Sequence, residues 1–450
     1  MTPHEQTDSR VAGAQLIVER LRAADHQALW AGGCVRDQLL GKAAKDIDIA
    51  TSARPEEIES YFEKTVAIGK AFGVIGVVLN DHFFEVATFR QDGDYQDGRR
   101  PNHVTFAEAE ADAHRRDFTI NALFYDPVAQ SVIDYVGGEA DLQTKIIRAV
   151  GDPARRFAED HLRMLRAIRF AGTLDFTIDP ATWDAIIQLA PRIQRISPER
   201  IREELTRMLT ESQRPGHTLR ILHESGLLAQ VLPEVAAMVG VEQPPEFHPE
   251  GDVFTHTCLM LDLLGPPPRP LELVWAVLLH DVGKPPTFCA ATDRIRFNGH
   301  DRVGAHMSEQ ILRRLRFPNA VIDNVVHCVA NHMKFMHVQE MRRGKLRAML
   351  AAPTFPTELE LHRVDCLSSH ADLQNYDFLK EQQEAFQNEP QLPPAWIRGG
   401  DVIALGVQPG PAIGAWLRKA YARQLDNEAQ DRDELLEWLR NQIQAGEKPE

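Results

Sequence analysis

Between residues 28 and 51 the chain reads ALWAGGCVRDQLLGKAAKDIDIAT. Two glycines after an apolar stretch leave backbone N–H groups open to close approach by an anion. The segment CVRDQLLG that follows has a helical pattern, so its N-terminus adds partial positive charge at the same point. Arg36 is then placed to face phosphates, with Gly32 and Gly33 forming the turn. Further on, KDIDIAT reads as a strand whose alternation points Asp46 and Asp48 from one face. Two convergent carboxylates repel unless a cation lies between them, and an all-oxygen donor set suits Mg²⁺ and two-metal phosphoryl chemistry. Glu85, in the later strand-like run FFEVATFR, is a candidate third carboxylate.

Other clusters follow. HRRDFTINAL (114–123) places Arg115, Arg116, Asp117 and Asn121 before and within an expected helix, which supplies cations for a triphosphate and hydrogen-bonding groups for a sugar. In AEDHLRMLRAIRF (158–170), read as a helix, Glu159, Arg163, Arg166 and Arg169 fall on successive turns with Asp160 beside them. A carboxylate and an arginine held this way can bond the Watson–Crick edges of bases. An ion-pair ladder on a solvated helix has the same pattern. Farther along, HPEGDVFTHT, LLHDVGKP, NGHDRVGAH, ANHM and RVDCLSSHADL carry an ordered set of histidines and aspartates. An adjacent His-Asp pair, preceded by one His and followed by a distant Asp, offers imidazole and carboxylate ligands to a transition metal. Lys284 is a candidate phosphate contact, and His300, His306 and His332 are candidates for a second metal or for substrate.

These groups need a scaffold. The first 150 residues mix β-branched runs such as VIGVVL with helical stretches, a mixed α/β pattern. From about 153 to 240 the spacing is helical throughout, and Ser197-Pro198 supplies a cap and first-turn proline. QPPEFHPEGD marks a boundary, a histidine-rich helical region runs to about 390, and the proline-rich QNEPQLPPAW precedes a helical tail. The expected division is 1–27 helical lead, 28–152 head, 153–240 helical neck, 241–390 histidine-rich domain and 391–450 tail.

With 450 residues, 43% of them hydrophobic and 26% charged, the chain is long enough for about three domains. A formal charge of -15 argues against a basic coat over the whole surface, but phosphate recognition needs charge on one face only. The longest apolar stretches, such as LVWAVLL at 273–279, are far shorter than a membrane span. No apolar core follows a basic start in MTPHEQTDSR, so the expected location is the cytoplasm. Five dispersed cysteines without a C-x-x-C pair fit reduced, buried thiols.

In order and spacing, GGCVRDQLLG…KDIDIAT, RRDFTINALFYDP, IDYVGGEADLQTKIIRAVGDP, EDHLRMLRAIRFA and ISPERIREEL resemble the successive motifs of class II CCA-adding tRNA nucleotidyltransferases and the related bacterial poly(A) polymerases. The resemblance covers about 30–240. It implies an α+β protein: a polymerase-β-like head with a mixed sheet, then an all-α neck and body and helical domains. It implies Asp46 and Asp48 as metal ligands, Gly33, Arg36 and Arg116 at the nucleotide, and Asp117 near the ribose. EDHLR would be a protein template, with Glu159, Asp160 and Arg163 reading CTP or ATP and Arg166 and Arg169 completing the site. FRQDGDYQDGRRPNHVTF (89–106) matches the family's flexible loop and suits a mobile lid. The histidine set resembles the HD metal-dependent phosphohydrolase domain, with His256, His280, Asp281 and Asp365 at the ligand positions.

The function this implies is template-independent addition of CMP, AMP or both to the 3′ end of tRNA, with release of pyrophosphate. Addition of only CC or only A, and poly(A) synthesis on other RNAs, use the same motifs. Two readings of another class are a phosphohydrolase whose head merely binds nucleotide, and a tRNA-holding module without catalysis. The intact pair Asp46 and Asp48, with every matching arginine, speaks against both.

Overall fold

The computed structural model describes residues 3–43, 46–93, 103–246, 248–290, 294–386 and 392–447. The chain divides into two compact units, Met1–Ala236 with Pro266–Arg269 and Arg314–Arg316, and Ala237–Gly265 with Pro270–Arg313 and Phe317–Glu450.

The first unit is built on a seven-stranded mixed sheet of order β3-β4-β5-β2-β1-β8-β9. Its strands are β1 (Ala28–Ala31), β2 (Ile49–Thr51), β3 (Thr65–Gly69), β4 (Val74–Leu79), β5 (His82–Thr88), β8 (Phe124–Asp126) and β9 (Ser131–Ile133). All pairs are antiparallel except β2 with β5, where Ile49 lies beside Val86. Central β1 is buried at every residue, as its apolar sequence ALWA requires. β5 alternates instead, burying Phe84, Val86 and Thr88 and exposing Phe83 and Glu85. Helix α1 (Pro3–Ala23) buries Ala14, Ile17, Val18 and Leu21, at three- and four-residue spacing, and packs on β1, β2 and β5. Toward β1 and β8 the opposite face is closed by Phe89, Ala109, Ala113, Ala122 and Phe124, with Leu29, Ala31 and Ala50.

Short helices α2 (Gly33–Leu39), α3 (Pro55–Tyr61), α4 (Ala109–His114) and α5 (Gly138–Thr144) connect the strands. The helical part follows with α6 (Pro153–Glu159), α7 (Leu162–Leu174), α8 (Pro180–Leu189) and α9 (Pro198–Glu211). Asp152 caps α6 by accepting from the Arg155 amide at 2.9 Å. Ser197 occupies the cap position of α9 ahead of Pro198 but makes no side-chain cap bond. α7 and α9 pack together, and Leu165 and Ile168 of one and Leu205 and Met208 of the other are buried.

Three local expectations change. Asp46 and Asp48 precede the strand rather than lie in it, because β2 begins at Ile49. The Ala31 amide still donates to the Asp48 carbonyl at 2.9 Å, which carries the pleat back to Asp48. RRDFTINAL is not an α-helix. α4 ends at His114, and only a 3₁₀ turn forms at Thr119–Asn121, where Phe118, Ile120 and Ala122 all go into the core and no solvent face remains. Residues 158–170 are two helices, because Asp160 adopts extended φ/ψ of -140° and 105° between α6 and α7. Of the loop expected at 89–106, residues 94–102 lie outside the described residues; its flanks pair as β6 (Arg90–Asp92) and β7 (Val104–Phe106).

The second unit is helical. Its core helix Leu271–Leu279 buries every residue from Leu273 onward and packs against Val253–Leu263, Asn319–Asn331 and Phe355–Ser368. Farther on, Gly399–Ala404, Pro411–Leu425 and Arg432–Gln444 enclose their own core of Val402, Trp416, Leu435 and Leu439.

Candidate active site and histidine centre

In the first unit a cavity of about 980 Å³ is lined by the glycine turn, α2, the Asp46–Asp48 segment, the Arg115–Asn121 turn and the facing sides of α7 and α9. Gly32 has φ of +76°, and a Cβ there would sit 2.8 Å from Arg116 Nη1, so only glycine fits this turn. Arg36 donates to Asn121 Oδ1 at 2.6 Å and to Asp37 Oδ1 at 2.8 Å. Arg116 donates to Asp112 and to the Asn121 carbonyl at 3.1 Å.

The helices supply the other wall. Buried Asp117 accepts from Arg166 Nε at 2.8 Å and from Asn121 at 3.2 Å. Burial would raise its pKa, but the Arg166 and Arg163 guanidiniums outweigh that and hold it at about 2. Arg169, 3% exposed, donates to Glu204 of α9 at 2.6 Å; burial draws the guanidinium down to about 10 against the pull of Glu204. Arg36, Arg166 and Arg169 all lie over the Phe170 ring, at 5.2, 5.4 and 4.1 Å. Arg163 donates to the carbonyls of Arg156 and Arg115 and to Glu159 at 2.9 Å. Asp160 is gripped by both terminal nitrogens of Arg200, at 2.9 and 3.4 Å.

Nearly every cation here is thus held by a carboxylate or carbonyl of the protein, which fixes an array of N–H groups around an open space. The array suits a polyanion with a hydrogen-bonding base at one end. At the other end Asp46 is exposed and lies 3.6 Å from Arg10. Lost hydration, then the nearby Glu85 carboxylate, raise Asp48 to about 6 despite Arg116, with a smaller contribution from Asp46. Mutual repulsion among three carboxylates fits a cation site with hard oxygen donors.

The structure brings Gly32, Gly33, Arg36, Asp46, Asp48, Arg116, Asp117, Asn121, Asp160, Arg163, Arg166 and Arg169 to this one cavity. Glu85 borders Asp48 from β5 but does not line the cavity. Glu159 does not line it either: its carboxylate faces Arg155, Arg156 and Arg163, because the break at Asp160 turns the end of α6 away. The sequence pattern misses Asp37, Arg200, Arg207 and Glu211, which also line it. The motif ISPERIREEL contains Arg200, but nothing in its spacing points to Asp160, forty residues earlier in the chain.

In the second unit, His280 follows the core helix directly. Its Nδ1 lies 2.8 Å from the Val277 carbonyl, His300 Nδ1 2.8 Å from that of Phe297, and His332 Nδ1 2.7 Å from that of Val329. A carbonyl only accepts, so each Nδ1 carries a hydrogen, and in the neutral ring each Nε2 presents a lone pair. These Nε2 atoms converge on Asp281, at 3.1 Å from His280, 3.6 Å from His300 and 3.8 Å from His332. His300 and His332 Nε2 are 3.1 Å apart, an approach of two lone pairs that a cation between them relieves. Beside this group His256, His280 and Asp365 converge, with His256 Nε2 3.1 Å from Asp365. Burial would lower His256, but Asp365 and Glu250 raise it to about 9. Glu250, unremarked in the sequence, accepts from His256 Nδ1 at 2.6 Å and so turns Nε2 inward.

The expected four residues, His256, His280, Asp281 and Asp365, are brought together, and His300 and His332 join them. His306 does not; it is exposed and bonded to Gln310 at 3.0 Å. Lys284 is buried, 2.7 Å from both Asp281 Oδ2 and Gln243 Oε1, which spends its ammonium on protein groups. Imidazole with carboxylate is the donor set of a divalent transition metal.

Three family models match the chain: the poly A polymerase head domain at 28–148, the probable RNA and SrmB-binding site of polymerase A at 175–239, and the HD domain at 252–371. A CCA-adding enzyme of Enterococcus faecalis is 46% identical over 201 residues, 44% of this chain and 49% of that protein. The match spans about half the length of this and the next curated relatives. The CCA-adding enzyme of Bacillus subtilis is 30% identical over 434 residues, 96% of this chain and 93% of that one. Among solved structures, the Bacillus stearothermophilus CCA-adding enzyme in complex with CTP superposes with a TM-score of 0.73 at 25% identity, covering 99% of both chains. The Thermotoga maritima CCA-adding enzyme complexed with tRNA shares the fold at a TM-score of 0.58 and 22% identity over 96% of this chain.

Proposed function

The chain belongs to the family of CCA-adding enzymes and poly(A) polymerases, and from that premise we propose that it adds CMP and AMP to the 3′ end of tRNA. The observation that carries this reading is the cavity itself, a preset array of arginines ending at Asp46 and Asp48. Arg36, Arg116 and the glycine turn hold the triphosphate, while Asn121 and Asp117 meet the ribose. Arg166 and Arg169 fix the wall behind it, and Asp160 and Arg163 present an acceptor and donors to the base edge. Arg200 is a positioning residue that keeps Asp160 in place. Glu159 does the same for Arg163, in place of reading the base itself.

The 3′-hydroxyl of the RNA gives up its proton to solvent as its oxygen bonds to the α-phosphorus, the bond from that phosphorus to the oxygen bridging to the β-phosphate breaks, and pyrophosphate leaves with the electron pair. Asp46, Asp48 and Glu85 would hold Mg²⁺, which would supply Lewis acidity to the phosphoryl transfer. The arginines bind the charge that develops on pyrophosphate. Among the described residues no helix is long and apolar enough to cross a membrane. We place the protein in the cytoplasm, where its nucleotides and RNA are found.

The second unit carries a second reading. The paired His300 and His332 lone pairs, with His256, His280, Asp281 and Asp365, would hold a divalent transition metal that supplies Lewis acidity for phosphoester hydrolysis.

The test offers the purified protein tRNA lacking CCA, tRNA lacking only A, or a generic RNA, with CTP and ATP singly and together. Completion of CCA on the tRNAs alone supports the proposal. Extension of every RNA with ATP assigns a poly(A) polymerase, and growth by only CC or only A assigns a partial enzyme.

A further inference from the structure

The sheet face that carries the carboxylates has an apolar continuation. In the β2/β5 register Ile49 lies beside Val86, so Asp48 and Glu85 lie side by side on the opposite, outward face. Phe83 is two residues from Glu85 on β5, hence on the same face and about 7 Å away along the strand. Phe83 is 50% exposed. Glu85 pairs across with Gly76 of β4, where a Cβ would come within 2.5 Å of the Phe83 ring and 3.0 Å of Ile68. The missing side chain lets the Phe83 ring lie across the sheet. Val66 and Ile68 of edge strand β3, 51% and 49% exposed, extend the same surface.

Building on the proposed function, we propose that this platform receives the single-stranded 3′ end of the acceptor RNA, with a terminal base stacked on Phe83. In that reaction the attacking oxygen must approach the α-phosphorus opposite the departing pyrophosphate. Asp46 and Asp48 line the cavity proposed to take the triphosphate, but neither Glu85 nor Phe83 does. Both residues lie on the Asp48 face of the sheet outside the cavity lining, and in this proposal the acceptor reaches the carboxylates from there. An aromatic ring accepts any base by its face, as an enzyme whose acceptor end changes with each addition requires.

The experiment uses a tRNA acceptor-stem hairpin with 2-aminopurine as its last base, mixed with the full chain, alongside steady-state addition to the same hairpin. Wild type should quench the fluorophore on binding. Phe83→Ala should abolish the quenching and raise the acceptor KM about tenfold while leaving the KM for CTP unchanged. Phe83→Trp should retain both, which separates stacking from loss of fold. Unchanged quenching and acceptor KM in Phe83→Ala would overturn the proposal. So would a dimer-to-monomer shift in sedimentation with unchanged acceptor KM, since the face would then join two copies. If wild type extends no RNA, the proposed function fails, while the quenching comparison still decides the platform.

Discussion

The nucleotide cavity and the histidine centre solve opposite electrostatic problems. In the cavity the excess charge is positive and already answered within the protein: Arg36 by Asp37, Arg116 by Asp112, Arg166 by Asp117, Arg169 by Glu204, Arg163 by Glu159 and Arg200 by Asp160. Such a lattice keeps its shape without a ligand and spends little on reorganisation when one binds. In the histidine centre three imidazoles are oriented from behind by backbone carbonyls, and in front Asp281 meets Lys284 and His280 while Asp365 meets His256. As neutral rings His300 and His332 point lone pairs at each other, an arrangement that a bound cation would complete.

The comparison breaks first at the carboxylates. Asp46→Ala or Asp48→Ala should lower nucleotide addition by at least about a thousandfold, since the carboxylates that would hold the metal are lost. RNA affinity, measured by filter binding, should stay within about twofold because phosphate contacts elsewhere supply it. Near wild-type extension by the double variant would remove the head assignment.

Next in size is the metal of the histidine centre. His280→Ala with Asp281→Ala should lose the bound transition metal, read by elemental analysis, and with it any phosphoesterase activity, while CMP and AMP addition is spared. Chelation should likewise lower the thermal transition of the second unit without changing CTP binding. Unchanged metal content would contradict the lone-pair argument.

A smaller effect separates base reading from phosphate binding. Arg163→Ala should alter kcat/KM among the four nucleoside triphosphates unequally, by about 5- to 150-fold for the cognate bases, because donors next to the base are lost. Arg36→Ala should weaken all four alike. Equal losses in Arg163→Ala would leave only an ion-pair ladder.

The smallest expected effect concerns stability. Asp117 has a folded pKa near 2 against an ordinary 3.8. A depressed carboxylate stabilises the fold above its unfolded pKa and loses that contribution as pH falls from about 4 toward 2. Asp117→Asn should therefore cost about 2 kcal/mol at pH 7 and flatten the acid limb of urea unfolding in that window. An unchanged acid limb would show that the Arg166 pairing contributes nothing net.

What was legible in the sequence follows from range. The Gly32-Gly33 turn, Arg36 and the Asp46/Asp48 pair were readable because local spacing places them, and the His280-Asp281 pair because it follows an apolar helix. The 3₁₀ turn at Thr119–Asn121 was not, since Phe118, Ile120 and Ala122 are buried on all sides and leave no periodicity. The resemblance puts Glu159 at the base with Asp160 and Arg163; the extended backbone of Asp160 ends α6 at Glu159, whose carboxylate faces Arg155, Arg156 and Arg163. Arg200 and Glu250 act through partners distant in sequence or set by a loop, and no pattern along the chain announces such contacts.

The proposed function puts nucleotide transfer to an RNA end in the arginine cavity beside Asp46 and Asp48, whatever the histidine centre does. Its most direct test is the pyrophosphate released when the protein receives a tRNA transcript without its last three nucleotides, together with CTP and ATP. The account predicts one pyrophosphate per nucleotide incorporated, ending at three per tRNA, and none in Asp48→Ala. Release of orthophosphate alone, with no extension of the RNA, would contradict it.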